Sequence, residues 1–342
     1  MNKVVKVEAA VGLVLAHDVT EIRKDEFKGR AFKKGHKIEN SDICHLRRLG
    51  KEHIYVLNIE DGNLHENDAA RILADAFCGP GVACQGEPEE GKLKLTAQTD
   101  GLFKVDVAAL TRVNMLGDVM CACRHTNSAV KRDEMVAATR AIPLVVREAV
   151  VEQAVGISRA VGGLFRVKPF RAANVGVVIT GSEVFSGLIE DQFEPILRRK
   201  IADIGSRVQD VLFAPDDAEA IASRIQALIQ SGADFILSTG GMSVDPDDVT
   251  RTGIQRVCGS LNCYGAPVLP GSMLMIGYAE EIPILGVPAC GIYHETTILD
   301  LVLPRILAGE KLGRKDVAQL GHGGLCLNCG TCRYPICPFG KS

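Results

Sequence analysis

Three apolar runs in the second half of the chain constrain the fold most, because each is followed by polar residues and two lead into helical patterns. The runs are Val175–Ile179, Val208–Phe213 and Phe235–Leu237. Continuous apolar runs of this length are typical of strands buried on both faces of a parallel sheet. The helical patterns cover 189–204 and 218–230. The sequence therefore predicts an α/β domain with an open, mostly parallel sheet between two helical layers.

The residues that follow these strands are glycines, hydroxyl residues and carboxylates. They are Thr180, Gly181, Ser182 and Glu183 after the first strand, Asp216 and Asp217 after the second, and Gly240, Gly241, Ser243, Asp245, Asp247 and Asp248 after the third. Ligands of open α/β sheets bind outside the carboxyl ends of the strands. Glycine turns expose backbone N–H groups that favour phosphate, and carboxylates are ligands for Mg²⁺. We therefore expect a phosphate and Mg²⁺ site there; acidic, capped helix starts are the alternative interpretation.

The overall charge and hydropathy exclude some classes of partner. The formal net charge of −3 gives no basic footprint for nucleic acid. No apolar run reaches the roughly 18 residues that a membrane span needs. We expect a cytoplasmic protein that binds neither nucleic acid nor membrane.

The chain of 342 residues is long enough for two or three domains. Glycine and proline residues near position 165 interrupt the pattern before the first strand of the parallel sheet. We predict a mixed α+β region over 1–170, with a β-rich part at about 80–120 and helices over 41–49, 66–77 and 148–160. The α/β domain would cover 171–312, and a cysteine-rich tail 313–342.

The tail contains four cysteines in the spacing C-x2-C-x2-C-x4-C, namely Cys326, Cys329, Cys332 and Cys337. This spacing is close to a bacterial ferredoxin run, with one extra residue in the last gap, and predicts a metal site for either a [4Fe–4S] cluster or Zn²⁺. Zn²⁺ accepts the same four thiolates and remains an alternative. Disulfides are the third interpretation, which a cytosolic chain disfavours.

Several motifs, taken in order, resemble a known family. Residues 173–309 resemble the molybdopterin-binding domain shared by molybdopterin adenylyltransferases and molybdopterin molybdenumtransferases. The matching motifs are TGSE at 180–183, PDD at 215–217, STGGMSVDPDDVT at 238–250, LPGS at 269–272 and GVPACG at 286–291. Segments 9–19, 32–38, 42–56 and 125–146 resemble the molybdenumtransferase branch. The resemblance ends at about residue 312.

The resemblance implies a function in molybdenum cofactor biosynthesis, as a homodimer with its site between subunits. The chain would bind molybdopterin or adenylyl-molybdopterin with Mg²⁺, promote insertion of molybdenum from molybdate, and serve a downstream molybdoenzyme. Asp216, Asp217, Asp248 and Glu183 would carry the chemistry, with Asp217 and Asp248 as Mg²⁺ ligands. The pterin site would also include the residues Thr180, Gly181, Ser182, Gly240, Gly241, Ser243, Pro270, Gly271, Ser272 and Pro288.

The chain also departs from the family pattern. Leu269 and Ser272 stand where lysines usually flank the Pro-Gly turn, Ser182 stands where an acidic residue usually follows TG, and PACG replaces PGNP. These changes leave two alternatives open: a non-catalytic molybdopterin carrier or insertion chaperone, and a nucleotide pyrophosphatase on the same domain. Cys290 lies in the altered turn and would be reactive if a helix N-terminus lowers its pKa.

Overall fold

The computed structural model describes residues 2–23, 27–57, 59–242 and 249–341. The chain divides into two compact units. Unit 1 comprises 1–96, 106–123 and 135–165, and unit 2 comprises 97–105, 124–134 and 166–342.

Strands are distributed along the whole described chain. Their bounds are β1 (Asn2–Lys6), β2 (Val14–Leu15), β3 (Val19–Arg23), β4 (Phe27–Phe32), β5 (His53–Leu57), β6 (Asn63–His65), β7 (Val82–Glu89), β8 (Lys92–Ala97), β9 (Gly101–Val105), β10 (Val119–Cys123), β11 (Ser128–Val130), β12 (Met135–Ala141), β13 (Val145–Arg147), β14 (Phe165–Pro169), β15 (Asn174–Thr180), β16 (Arg207–Ala214), β17 (Phe235–Thr239), β18 (Leu261–Tyr264), β19 (Met275–Ala279) and β20 (Ile282–Val287).

Helices alternate with these strands, most regularly in unit 2. Their bounds are α1 (Asn40–Arg48), α2 (Glu66–Phe77), α3 (Val107–Asn114), α4 (Glu148–Arg159), α5 (Ser182–Phe185), α6 (Phe193–Asp203), α7 (Ala218–Gln230), α8 (Thr250–Cys258), α9 (Ile298–Leu307) and α10 (Arg314–Gln319). Short 3-10 turns cover Val7–Ala9 and Ala289–Gly291. The predicted helices over 66–77 and 218–230 are confirmed to the residue.

Unit 1 is a mixed α+β assembly of small antiparallel sheets. Its larger sheet has the strand order β10-β12-β8-β7, and a second sheet has the order β1-β5-β2. A separate apolar cluster that includes Leu15, Ile38, Leu46 and Ile54 lies beside the second sheet. The smaller mixed α+β elements expected ahead of the parallel sheet are therefore present.

Unit 2 is built on an open sheet. Among the described residues, six strands form it in the order β16-β15-β17-β20-β19-β18. The first four are parallel to one another, and β19 is antiparallel to both of its neighbours. The prediction of an open, mostly parallel sheet is confirmed.

Helices cover both faces of this sheet. On one face, α6 and α9 pack on Val175, Val177 and Ile179 of β15. On the other face, α7 and α8 pack on Val178 and on other strand residues whose side chains point to that side of the sheet. Because side chains alternate across a strand, an apolar run with both parities buried requires a layer on each side. Each fully buried aliphatic side chain contributes about 1.5–3 kcal/mol.

One local prediction is wrong, and a side-chain cap explains it. Helix α6 begins at Phe193 rather than near 189, because the carboxylate of Asp191 accepts hydrogen bonds from the N–H groups of Phe193 (3.0 Å) and Glu194 (2.8 Å). The region 80–120, expected to be β-rich, contains β7, β8, β9 and the start of β10 together with the short helix α3. Asp106 caps this helix by accepting from the N–H of Ala109 at 2.9 Å.

A half-buried ion cluster in unit 2 surrounds Glu310, just after α9. Its carboxylate accepts from Lys104 Nζ (2.7 Å) and from Arg305 Nε (2.8 Å). Burial on its own raises the pKa of Glu310, but these two hydrogen bonds and charges together outweigh it and hold the pKa below its ordinary value. The carboxylate is therefore kept ionised.

No helix in the described ranges is both long enough and apolar enough to cross a membrane.

Candidate functional site

The ends of the parallel strands of unit 2 lie side by side at one edge of the sheet, here called the carboxyl edge. Thr180 pairs with Ala214, and Thr239 pairs with both Ile179 and Val287. The polar segments after β15, β16 and β17, and Pro288 after β20, therefore leave the sheet at this edge. The structure thus brings together strand ends that the sequence predicts to meet.

The Pro-Gly turn before β19 lies at the same edge. Met275, the first residue of β19, pairs with Gly286 near the end of β20. Pro270 O accepts from the N–H of Ile298 at 3.2 Å, so the turn is held against the start of α9. Gly271 has φ +117°, and a Cβ there would lie 2.5 Å from Ile298 Cγ2. The turn formed by Pro270, Gly271 and Ser272 therefore packs on the start of α9, and its role in ligand binding stays a prediction.

The loops after β15 and β17 are fixed to each other by a buried contact. The Thr180 hydroxyl donates to Thr239 O at 2.6 Å and lies 2.9 Å from Thr250 Oγ1 at the start of α8. Gly240 has φ +113°, and a Cβ on it would lie 1.9 Å from Thr180 Oγ1. Only glycine fits at this crossing, so the backbone of the Gly240-Gly241 turn lies directly on β15.

The loops after β15 and β16 are also joined, through a reciprocal pair of hydrogen bonds. The N–H of Ser182 donates to Asp216 Oδ2 at 2.8 Å, and the N–H of Asp216 donates to Ser182 Oγ at 3.2 Å. Asp217 caps α7, because its Oδ1 accepts from the N–H of Ala220 at 2.8 Å. These bonds involve one oxygen of each carboxylate.

A Mg²⁺ site at Asp216 and Asp217 stays a prediction. Mg²⁺ is commonly bound through one or two carboxylates, the remaining ligands being water and phosphate oxygens. In the part of the chain that the structure describes, no three His, Cys, Asp or Glu side chains form a metal site by themselves. The phosphorylated ligand would thus have to supply part of the coordination.

The structure shows less about several other predicted site residues. Ser243 and Asp248, like Asp245 and Asp247, lie outside the described residues, and their roles stay predictions. Glu183 is exposed in the short helix α5. The N–H of Gly181 donates to Ala214 O at 3.2 Å, whereas the N–H groups of Gly240 and Gly241 make no hydrogen bond to any described residue. The available backbone donors are therefore on the loop after β17.

Sequence reasoning missed two hydroxyl residues at the end of β17. The side chains of Ser238 and Thr239 are fully buried, and within the described residues neither hydroxyl has a hydrogen-bond partner. An unsatisfied buried polar group costs about 1–3 kcal/mol. The sequence signal for these residues is the Ser-Thr pair before the glycines, because two hydroxyl residues end a strand that is otherwise apolar.

The expectation of a low pKa for Cys290 is wrong. The residue begins no long helix, because Ala289–Gly291 is a single 3-10 turn. Burial raises the pKa of the Cys290 thiol, and a backbone hydrogen bond offsets this only partly. The condition under which Cys290 would be reactive, a lowered pKa, is therefore not met.

The four cysteines of the tail lie around one cavity of about 470 Å³. None of the described cysteines forms a disulfide. Metal binding by the tail stays a prediction.

A parallel α/β sheet with glycine turns and carboxylates at its carboxyl edge defines a ligand-binding domain of the open α/β class. Residues 176–308 match the family described as "Probable molybdopterin binding domain". The chain therefore contains a molybdopterin-binding domain of this family. Residues 4–58 match a domain of unknown function.

Curated relatives match over part of their length. A molybdopterin molybdenumtransferase of Haemophilus influenzae is 30% identical over 162 residues, which make up 45% of this chain and 40% of that protein. A CinA-like protein of Mycolicibacterium vanbaalenii is 31% identical over 88 residues, 26% of this chain and 21% of that protein. The chain thus spans less than half the length of either relative.

Solved structures also align with the chain. The molybdopterin biosynthesis enzyme MoaB from Thermus thermophilus is 20% identical, with a TM-score of 0.35 over 40% of this chain and 98% of that one. The molybdopterin biosynthesis moea protein from Pyrococcus horikosii is 16% identical, with a TM-score of 0.34 over 71% of this chain and 79% of that one.

Proposed function

We propose that the protein acts in molybdenum cofactor biosynthesis and binds molybdopterin, or its adenylylated form, at the carboxyl edge of the unit 2 sheet. One observation carries the proposal: in the segment that matches the molybdopterin-binding family, the glycine turn and the two aspartates follow the two strands that flank β15. A phosphorylated pterin needs such a combination of backbone donors and a metal-binding carboxylate pair.

Each group at the edge has a role in this proposal. The N–H groups of Gly240 and Gly241 donate to phosphate oxygens, and the buried Thr180 contact holds their turn in place. Asp216 and Asp217, with Asp248, hold Mg²⁺, which supplies positive charge beside the phosphate. Glu183 orients the ligand or a water molecule. Pro270–Ser272 and Pro288 form the neighbouring wall.

Charge removal at the edge tests the proposal. Asp216→Asn and Asp217→Asn each keep an oxygen that can accept the hydrogen bond from Ser182 or Ala220, so the fold is retained while a Mg²⁺ ligand is weakened. Asp210→Asn is the matched control, because Asp210 is exposed on the same strand, β16, away from its end.

The measurement is the amount of pterin that co-purifies from cells making molybdopterin. The protein is denatured, the released pterin is oxidised to its fluorescent form, and binding is compared with and without Mg²⁺. We expect both edge variants to lose most of the bound pterin and its Mg²⁺ response, and Asp210→Asn to behave like the unchanged protein. Unchanged binding in both edge variants, or an unchanged protein that carries no pterin, would refute the proposal.

We further propose that the bound pterin receives molybdenum on this protein, as in a molybdopterin molybdenumtransferase. Supplying Mg²⁺ and molybdate to the adenylyl-molybdopterin complex would then release adenylate. The carrier alternative predicts tight binding without release. It is favoured by Leu269, which replaces a family lysine and whose N–H donates to Gly324 O at 2.8 Å. A leucine at this position offers no side-chain charge to molybdate.

A nucleotide pyrophosphatase is the second alternative, and the match to a CinA-like protein favours it. It predicts hydrolysis of a panel of nucleotide pyrophosphates in the absence of any pterin. The molybdenumtransferase proposal predicts no turnover of that panel.

The proposal includes a homodimer that delivers the cofactor to a downstream molybdoenzyme. Light scattering at micromolar concentration should return twice the mass of one chain. A monomeric mass would remove the part of the site assigned to a second subunit.

A further inference from the structure

The cysteine-rich tail has a defined path although its described residues after α10 form no helix or strand. Its first part is tied to the Pro-Gly turn: Leu325 bridges to Leu269, and the N–H of Cys326 donates to Leu269 O at 2.8 Å. Its last part is closed by the N–H of Gly340, which donates to Gly323 O at 2.9 Å. Both ends of the segment are therefore held, and the stretch between them forms a closed loop.

This loop also packs on the core of unit 2. Phe339 is 3% exposed and belongs to the apolar cluster around α9. The Tyr334 hydroxyl donates to Asp300 O, in the first turn of α9, at 3.1 Å. Cys326 and Cys337 contact the same cluster. The positions of the cysteines are thus set by the tertiary structure as well as by their spacing.

The loop and the segment before α9 enclose the cavity of about 470 Å³, and all four tail cysteines line it. Residues 293–296 form the facing wall. Tyr293, Leu325, Leu327 and Phe339 supply apolar lining. A cavity with four thiols in a largely apolar lining is suited to a soft metal centre, because thiolates select zinc and iron–sulfur clusters.

The size of the cavity favours a cluster over a single ion. A zinc ion with Zn–S bonds of about 2.3 Å draws its four sulfurs to within about 4 Å of one another. In the described ranges, however, no three Cys, His, Asp or Glu side chains converge closely enough to hold one ion. The four cysteines are instead spread around a cavity. A cluster of several irons and sulfides fills such a space and holds its thiolates farther apart than one ion does.

We propose that this cavity binds a [4Fe–4S] cluster through Cys326, Cys329, Cys332 and Cys337. The two short gaps between the first three cysteines are those of bacterial [4Fe–4S] runs, whereas plant-type [2Fe–2S] proteins open with a longer gap. The third gap is one residue longer, so the position of Cys337 at the cavity depends on the packing of Phe339 and Tyr334 on α9 and not on the spacing.

A hydroxyl at the cavity wall supports a bound thiolate. Thr296 Oγ1 lies 3.2 Å from Cys332 Sγ, and Thr296 is 7% exposed. Once Cys332 is a thiolate ligand, this hydroxyl donates to the sulfur. Hydrogen bonds to ligand sulfurs are a common means by which proteins set the potential of a cluster.

The cluster site adjoins the carboxyl edge of the sheet. Cys290, in the turn that follows Pro288, accepts at its carbonyl oxygen from the N–H groups of Tyr293 (3.2 Å) and His294 (3.1 Å). Tyr293 and His294 in turn line the cysteine cavity. The wall of the cavity and the end of β20 are therefore parts of one continuous backbone segment.

The test uses the full chain, purified without oxygen and reconstituted with ferrous iron and sulfide under reducing conditions. Iron, acid-labile sulfide and zinc are measured on one sample, together with the visible absorbance before and after reduction. We expect about four irons and four sulfides per chain and a broad visible band that weakens on reduction. One zinc per chain without sulfide, two irons and two sulfides per chain, or no bound metal would each overturn the assignment.

Cys329→Ala is the informative variant, because Cys329 is exposed and lies outside the apolar cluster around α9. Cys44→Ala, at an exposed cysteine of α1, is the matched control. We expect loss of the four-iron cluster in the first variant only, with unchanged far-UV circular dichroism in both. Equal iron and sulfide content in the two variants would refute the ligand set. Pterin content, measured on the same samples, tests the pterin proposal independently.

Discussion

Replacing Gly240 with alanine tests whether the glycine turn of the carboxyl edge is held against Thr180. Two costs are expected. A non-glycine residue at φ +113° adds about 1–3 kcal/mol of backbone strain. The new Cβ would also lie 1.9 Å from Thr180 Oγ1 and 2.9 Å from Thr180 O, an overlap that costs about 1–3 kcal/mol to relieve. Gly240→Ala should therefore destabilise the protein by about 2–6 kcal/mol.

Gly232→Ala separates the two costs. Gly232 has φ +101°, and a Cβ on it would have no atom within 4 Å. This control carries the backbone strain without the overlap. The difference between the two variants, about 1–3 kcal/mol, is the contribution of the contact with Thr180.

A double-mutant cycle with Thr180→Ala sharpens the result. Thr180→Ala alone leaves the buried hydroxyl of Thr250 without its partner, at a cost of about 1–3 kcal/mol. It also removes the atom closest to the new Cβ of Gly240→Ala, so the double variant should be less destabilised than the sum of the two single variants.

Urea unfolding followed by far-UV circular dichroism is the suitable assay, because the chain contains no tryptophan. Changes are taken from the transition midpoint at constant slope. Equal destabilisation of Gly240→Ala and Gly232→Ala, or strict additivity in the cycle, would show that the turn does not lie on Thr180.

Three further predictions concern a helix cap, an ion cluster and a thiol. Asp217→Ala should lower the free energy of unfolding by about 1 kcal/mol by removing the cap of α7, whereas Asp217→Asn should not; equal losses in urea melts would contradict this. Because folding lowers the pKa of Glu310, its carboxylate adds stability above pH 4.5, and this stability is lost as the pH falls through the lowered pKa. The difference in the free energy of unfolding between the unchanged protein and Glu310→Gln should therefore become smaller in acid. A difference that stays constant with pH would refute this. Cys290, whose pKa burial raises, should react with iodoacetamide more slowly at pH 8 than the exposed Cys44, by peptide mass spectrometry.

Elements whose signals are local could be predicted from the sequence. Helix α2 and helix α7 have bounds that their apolar periodicity and flanking residues determine, and the buried runs of β15 and β17 indicated a parallel sheet. Errors arose where a cap overrode the periodicity, as Asp191 does at the start of α6. The carboxyl edge could be predicted as well, because adjacent parallel strands must end at the same side of their sheet.

The tertiary structure alone decided how these groups are used. It showed that Asp216 accepts a hydrogen bond from Ser182, that the hydroxyl of Thr239 has no described partner, and that four closely spaced cysteines surround one cavity. Each of these depends on contacts between segments that are distant in the chain, such as Leu325 with Leu269. Spacing determines which residues can meet, whereas packing determines the distances between them and the size of the space that they share.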